Sequence, residues 1–159
     1  MDFQVSGSTA GVTLNDGDTM EVRSGGVATS TTALGAHTTI DVENAGIANN
    51  TVLTGVGAEE FVEPGGVDNN ATVNNATQLE IEGNASKGSG TGTGATINSG
   101  GFLLVDSFGS ANTATINKGG NETVDGTDNN ATLSGGKQFI QRGNAPGIAN
   151  GTIILSGGY

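Results

Sequence analysis

The sequence predicts an all-β fold, a parallel β-helix built from three-strand coils of about 20 residues. Three observations predict it: a motif that recurs along the chain, apolar residues at even intervals, and glycine and asparagine punctuation between them. The motif is clearest as Gly65-Gly66-Val67-Asp68-Asn69-Asn70-Ala71-Thr72-Val73-Asn74. Softer copies stand at Gly46-Ile47-Ala48-Asn49-Asn50-Thr51-Val52-Leu53, Asp128-Asn129-Asn130-Ala131-Thr132-Leu133 and Gly147-Ile148-Ala149-Asn150-Gly151-Thr152-Ile153. A fixed period of this length marks a repeat architecture, in which each unit buries its apolar face only by stacking on its neighbours.

The apolar landmarks form three series. One is Leu14, Leu34, Leu53, Val73, Ile97, Ile116, Leu133 and Ile153. The next is Val5, Val22, Val42, Val62, Ile81, Val105, Val124 and Ile140, with a step of 20 from Val22 to Val42 and again to Val62. The last is Val27, Ile47, Val67 and Ile148. Met20-Glu21-Val22 and Ile40-Asp41-Val42 alternate apolar and polar residues, the sign of a strand with one buried face. The interior expected from these series is Leu14, Val22, Val27, Leu34, Val42, Ile47, Leu53, Val62, Val67, Val73, Ile81, Ile97, Val105, Ile116, Val124, Leu133 and Ile140.

Pairs such as Gly25-Gly26, Gly65-Gly66 and Gly100-Gly101 supply positive φ at corners between strands. Asn49, Asn69, Asn129 and Asn150 fall at one phase of the repeat, where asparagine tolerates a left-handed corner and its amide can bond to the same amide one coil away. The reading favoured here is an asparagine ladder rather than a ligand site. Ser86 to Gly94 lengthens one corner and reads as a protruding flexible loop; Gly143 to Gly147 is a smaller extension. The period resumes after each, so residues 1–159 make a single β-helical domain. Neither end carries a capping segment, and the chain reads as a piece of a longer exported protein.

Composition agrees. With 29 Gly, 33% hydrophobic and 4% aromatic residues among 159, the chain is too poor in large side chains for a compact globule, whereas a solenoid needs little core per coil. A formal net charge of -11 argues against nucleic acid as a partner, because that requires clustered cations, and disfavours anionic membranes. No run reaches the roughly 18 apolar residues of a spanning helix, so no membrane insertion is expected. The absence of cysteine removes disulfides and thiolate metal sites.

Catalytic signals are thin, and neither an enzyme, a cofactor nor a metal site is expected. His37 is the only histidine, has no nucleophile motif near it, and reads as an exposed strand residue. Glu59, Glu60 and Glu63 cluster, but neighbouring strand residues point opposite ways; Glu60 is read as solvating a face and Glu59 as lying near a corner. Asn15-Asp16-Gly17-Asp18 and Asp125-Gly126-Thr127-Asp128 offer hard oxygens without a calcium-loop pattern, and turn chemistry explains them. The positive pattern is a triplet: Thr13-Leu14-Asn15, Thr72-Val73-Asn74, Thr96-Ile97-Asn98, Thr115-Ile116-Asn117 and Thr132-Leu133-Ser134. With the central residue inward, both neighbours point out. Thr72, Asn74, Thr96, Asn98, Thr115 and Asn117 would then form parallel uncharged rows, either a solubilising surface or an adhesive interaction face.

The alternation of Gly-Gly turns with Asn-Asn-x-Thr-Val-Asn and x-x-Val strands, over residues 5 to 155, resembles the passenger repeats of AIDA-type self-associating autotransporter adhesins. That resemblance implies a right-handed parallel β-helix on the surface of a Gram-negative cell. It implies homotypic contact with the same protein on neighbouring cells, biofilm formation, adhesion to host glycan or protein, and heptose on serines. Ser24, Ser99, Ser134 and Ser156, each directly before Gly-Gly, match such acceptor loops. The sequence shows no signal peptide, translocator barrel or capping region of that family. Two alternatives stay open: a glycan- or ice-binding β-helix, which would want Thr rows more regular than Ala33 and Val52 at the Thr13 position allow, and a carbohydrate-active enzyme, which would want a groove of convergent acids and cations.

Overall fold

The computed structural model describes residues 1–159 and contains 26 strands and no helix. Three parallel sheets of eight strands wind into eight coils. Sheet 1 takes Asp2–Val5, Thr19–Val22, Thr39–Val42, Glu59–Val62, Gln78–Ile81, Phe102–Val105, Asn121–Val124 and Lys137–Ile140. Sheet 2 takes Ser8–Ala10, Val27–Thr29, Ile47–Asn49, Val67–Asn69, Thr91–Thr93, Ser110–Asn112, Thr127–Asn129 and Ile148–Asn150. Sheet 3 takes Thr13–Leu14, Thr32–Ala33, Val52–Leu53, Thr72–Val73, Thr96–Ile97, Thr115–Asn117, Thr132–Ser134 and Ile153–Ile154. Each strand pairs in register with its equivalent one coil away, as Val22 with Val42 and Val42 with Val62. At about 4.8 Å per coil the stack is roughly 35 to 40 Å long.

The second landmark series is the interior edge of sheet 1: Val22, Val42, Val62, Ile81, Val105 and Val124 are fully enclosed. The other inward column of that sheet is Met20, Ile40, Glu60, Leu79, Leu103 and Glu122. The interior of sheet 3 is Leu14, Ala33, Leu53, Val73, Ile97, Ile116 and Leu133.

Three expectations about the core are corrected. Val27, Ile47 and Val67 lie half-exposed on the outer side of sheet 2, and the inward residues are their neighbours Ala28, Ala48 and Asp68. Facing the long side chains of sheet 1, that position has room only for something small. At Gly92 even a Cβ would stand 2.3 Å from Ile81 Cδ1. Leu34 is 60% exposed, one residue past the inward Ala33, which pairs with Leu14 and Leu53. Ile140 is 47% exposed: it stacks on Val124, and no coil covers its other side. Ile153 is exposed because it is the outward partner of Thr132; the residue in register with the inward Leu133 is Ile154, which is exposed for the same reason as Ile140.

Corners are left-handed in every coil. Between sheets 2 and 3 the positive-φ residue is Gly11, Ser30, Asn50, Asn70, Gly94, Thr113, Asn130 and Gly151 in turn. The asparagine that takes this corner is the second of each pair, whereas Asn49, Asn69 and Asn129 close the strands before it. His37 is exposed but stands at a corner with φ 53°, not within a strand. The long insertion folds into an antiparallel hairpin of Gly83–Asn84 with Gly88–Ser89, and Asn84 Oδ1 accepts the amides of Ser86 and Lys87 at 2.9 and 3.1 Å. Residues 91–93 already belong to sheet 2.

Candidate interaction faces

The six residues expected to form a face lie together on the outer side of sheet 3. Thr72, Thr96 and Thr115 are in register on consecutive coils. The row continues through Thr13, Thr32, Val52 and Thr132 to Ile153. Placing Ala33 inward puts Thr32, rather than Ala33, at the Thr13 position, so the row is more regular than the sequence spacing suggested.

Asn74, Asn98 and Asn117 form a ladder beside it. Asn98 Nδ2 donates to Asn74 Oδ1 at 2.8 Å, Asn117 Nδ2 donates to Asn98 Oδ1 at 2.9 Å, and Asn74 Nδ2 donates to the Leu53 carbonyl at 3.1 Å. These amides hold one another at fixed spacing. The threonine hydroxyls stay outside the ladder, a line of donors and acceptors repeating every ~4.8 Å. Ser134, in register with Asn117, prolongs the asparagine row instead of standing in a turn.

Sheet 2 carries a second ladder. Asn69 Nδ2 donates to Asn49 Oδ1 at 3.0 Å, Asn129 to Asn112 at 3.1 Å and Asn150 to Asn129 at 3.1 Å, with Thr93 interrupting between Asn69 and Asn112. Next to it runs the outward column of Val27, Ile47, Val67, Thr91, Ser110 and Thr127. Sequence reasoning missed this apolar rib by placing its members inside.

Charge is segregated by face. The outward strand residues of sheets 2 and 3 include no charged side chain. Apart from Asp16 and Asp18 at a corner and the interior Glu60, Asp68, Glu122 and Asp128, every acidic residue lies on the outer side of sheet 1 or directly after its strands. Glu43, Glu63, Glu82, Asp106 and Asp125 stack there on successive coils, each donating its amide to the carbonyl one coil below. Half-burial among Glu63, Glu43, Glu82 and Glu21 pushes the Asp41 carboxyl up to about 6. Burial, helped by neighbouring acids, also raises Glu80 and Glu82. The only ion pair on this face joins Arg23 to Glu21 at 2.8 Å.

The three glutamates read as one cluster are separated. Glu59 and Glu63 are outside, but Glu60 has no exposure at all, because it shares the parity of the inward Val62. The expectation that Glu60 solvates a face is therefore wrong. The two acidic turns do not converge either: Asp128 points inward and Asp125 outward, while Asp18 is taken by the Asn15 amide and the N-terminal amine and Asp16 by the Ala36 amide.

Ser24, Ser99, Ser134 and Ser156 are all exposed. Ser24 lies at the corner from sheet 1 to sheet 2, Ser99 at the corner from sheet 3 to sheet 1, and Ser156 in the equivalent turn after the last strand of sheet 3. No helix is long and apolar enough to cross a membrane.

No protein-family model matches this sequence, and no curated protein matches it either. Among solved structures, the crystal structure of a hyper-glycosylated fragment of TibA, its glycosylation catalysed by TibC, superimposes with a TM-score of 0.84. The two are 30% identical over 99% of this chain, which spans 62% of the TibA fragment, so the chain is similar in sequence and coil architecture to a β-helical glycoprotein.

Proposed function

We propose that this chain is a passenger segment of a bacterial surface adhesin, and that identical rods associate side by side through the uncharged outer faces of sheets 2 and 3. The observation that carries the reading is the segregation of charge. A chain of net charge -11 keeps two of its three faces free of charged strand residues and lines them with threonine and asparagine rows. Identical rows on two rods share one spacing and can match along their whole length. Each intermolecular hydrogen bond contributes only about 0.5 to 1.5 kcal/mol net, so adhesion arises from repetition. Likeness to TibA supports an adhesin-type β-helix over an enzyme, and the resemblance to AIDA-type repeats supports cell-cell aggregation, biofilm formation and display on a Gram-negative surface. In the same reading Ser24, Ser99 and Ser156 at corners, with Ser134 at a strand end, are the glycosylation acceptors.

Beads or cells displaying the wild-type chain should cluster, and a Thr96→Lys, Thr115→Lys double variant should not. Its melting temperature should stay within a few degrees of wild type, because outward strand residues contribute little to the core. Equal loss of clustering and stability would make these side chains structural instead. A second reading has one specific observation behind it, the regularity that Thr32 gives the threonine row: a heterotypic contact with a host glycan. A glycan array hit together with no clustering would favour it.

A further inference from the structure

The interior of sheets 1 and 2 follows one rule with two exceptions of the same kind. Where sheet 1 contributes Met20, Ile40, Leu79 or Leu103, sheet 2 of that coil contributes Ala28, Ala48, Gly92 or Ala111. Where sheet 1 contributes Glu60, sheet 2 contributes Asp68; where it contributes Glu122, sheet 2 contributes Asp128. Interior acids thus occur twice, each time as a long and a short carboxyl in one coil, and never singly. All four have zero exposure.

Their partners are too few for four carboxylates. Glu60 Oε1 accepts from the Thr51 hydroxyl and Asp68 Oδ2 from the Ala71 amide, both long at 3.4 Å, while Glu60 Oε2 and Asp68 Oδ1 have no partner. Gln138 Nε2 lies 2.8 Å from Glu122 Oε2 and 3.0 Å from Asp128 Oδ2, bridging the second pair, and Glu122 Oε1 and Asp128 Oδ1 are left over. Around the first pair the adjoining coils supply Ile40, Leu79, Ala48 and Gly92. Around the second they supply Leu103, Gln138, Ala111 and Ala149. No cation faces either pair, and the titratable group facing each acid is its own partner.

We propose that each pair is a proton-operated latch: one protonated carboxyl donates to its partner's carboxylate and ties sheet 1 to sheet 2 across the coil, and loss of that proton to solvent opens the coil. Two facing carboxylates in an apolar interior cannot both stay ionised without separating. Burial moves all four groups the same way, and the partner's charge adds to it at the two glutamates: Glu60 is raised, Asp68 to about 7, Glu122 to about 8 and Asp128 to about 6. Groups whose folded pKa lies above the unfolded value stabilise the fold fully below about pH 4 and lose that contribution as pH climbs through the folded values. The rod is therefore latched in acid and neutral media and loosens in alkaline media, at two coils rather than along its length.

The test compares wild type with a Glu60→Leu, Asp68→Ala variant, which reproduces the Leu103 and Ala111 coil. Hydrogen exchange of residues 59–73, corrected for intrinsic rate, should show local opening in wild type rising with pH between 6 and 9, by up to about tenfold per pH unit for each proton released. In the variant the same segment should open to a pH-independent extent. Asp41, Glu80 and Glu82 on the outer face are present in both proteins and cancel in the comparison. Equal pH dependence in the two proteins would overturn the latch. Wild type alone decides the matter if the variant fails to fold: opening that rises with pH in the coils of Glu60 and Glu122 but not in the coil of Met20 and Ala28 supports the latch, and an equal rise in all three contradicts it.

Discussion

Val42→Asp should melt at a temperature at least about 8 °C below wild type, the shift expected for a loss of about 4 kcal/mol in a chain of this size. Val42 has no exposure and stacks between Val22 and Val62 in the middle of the rod. A carboxylate there has no facing acid to share a proton with, because the inward residue of sheet 2 in that coil is Ala48, and it has no cation within the core. It must take up a proton or drag the coil open, and either is costly. Leu34→Asp is the control. Leu34 is 60% exposed past the end of its strand, so its replacement should change stability by less than about 1 kcal/mol. Thermal melts of both variants check the core boundary directly, since spacing alone had assigned Leu34 to the interior.

Gly46→Ala should be nearly as damaging, for a steric reason. A Cβ at Gly46 would stand 2.2 Å from the Val22 carbonyl oxygen and 3.0 Å from that of Glu43. Both atoms are backbone, so no side-chain rotation can relieve the overlap, and the coil spacing itself would have to widen. The same relation recurs at Gly26, Gly66, Gly90 and Gly109, each within 2.1 to 2.3 Å of the carbonyl one coil below. A loss of several kcal/mol in denaturant titration is expected, of the order of other severe backbone substitutions. Gly25→Asn should differ sharply. Gly25 has open space around it, and Ala45 already holds φ 60° at the equivalent corner one coil on. About 1 kcal/mol is the expected size of that change.

These two glycines show how far the sequence could be read. Gly-Gly pairs marked the corners, and the first of each pair has the positive φ that was expected of it: Gly25, Gly65 and Gly100. What the sequence hides is that the second glycine answers the carbonyl of a neighbouring coil, as Gly26 does that of Val5 and Gly66 that of Val42. The period and the inward Val22, Val42 and Val62 column were legible because large β-branched residues recur in phase. The inward column of sheet 2 was not, because its members are Ala28, Ala48, Gly92 and Ala111, which carry no hydrophobic signal, while the outward Val27, Ile47 and Val67 do. Parity held the missing clue. Thr32-Ala33-Leu34 matches Thr72-Val73-Asn74, and counting alternation from Val62 places Glu60 inside.

The asparagine ladder expected at Asn49, Asn69, Asn129 and Asn150 is present, with Asn112 as an additional member, whereas the left-handed corner belongs to the residues that follow, Asn50, Asn70, Thr113, Asn130 and Gly151. The Thr and Asn triplets were legible as rows. The confinement of charge to one side was not, since it depends on which of three sheets each acid follows.

Sedimentation of the isolated chain as a function of concentration and ionic strength tests lateral association most directly. Rods that meet on uncharged rows while carrying a net charge of -11 repel at long range, and salt screens that repulsion within about 10 Å at 0.1 M. Association should therefore strengthen as salt rises, and the Thr96→Lys, Thr115→Lys variant should stay monomeric throughout. A rod that remains monomeric at every salt concentration, or whose self-association weakens with salt as an ion-paired interface does, would contradict contact through the uncharged faces.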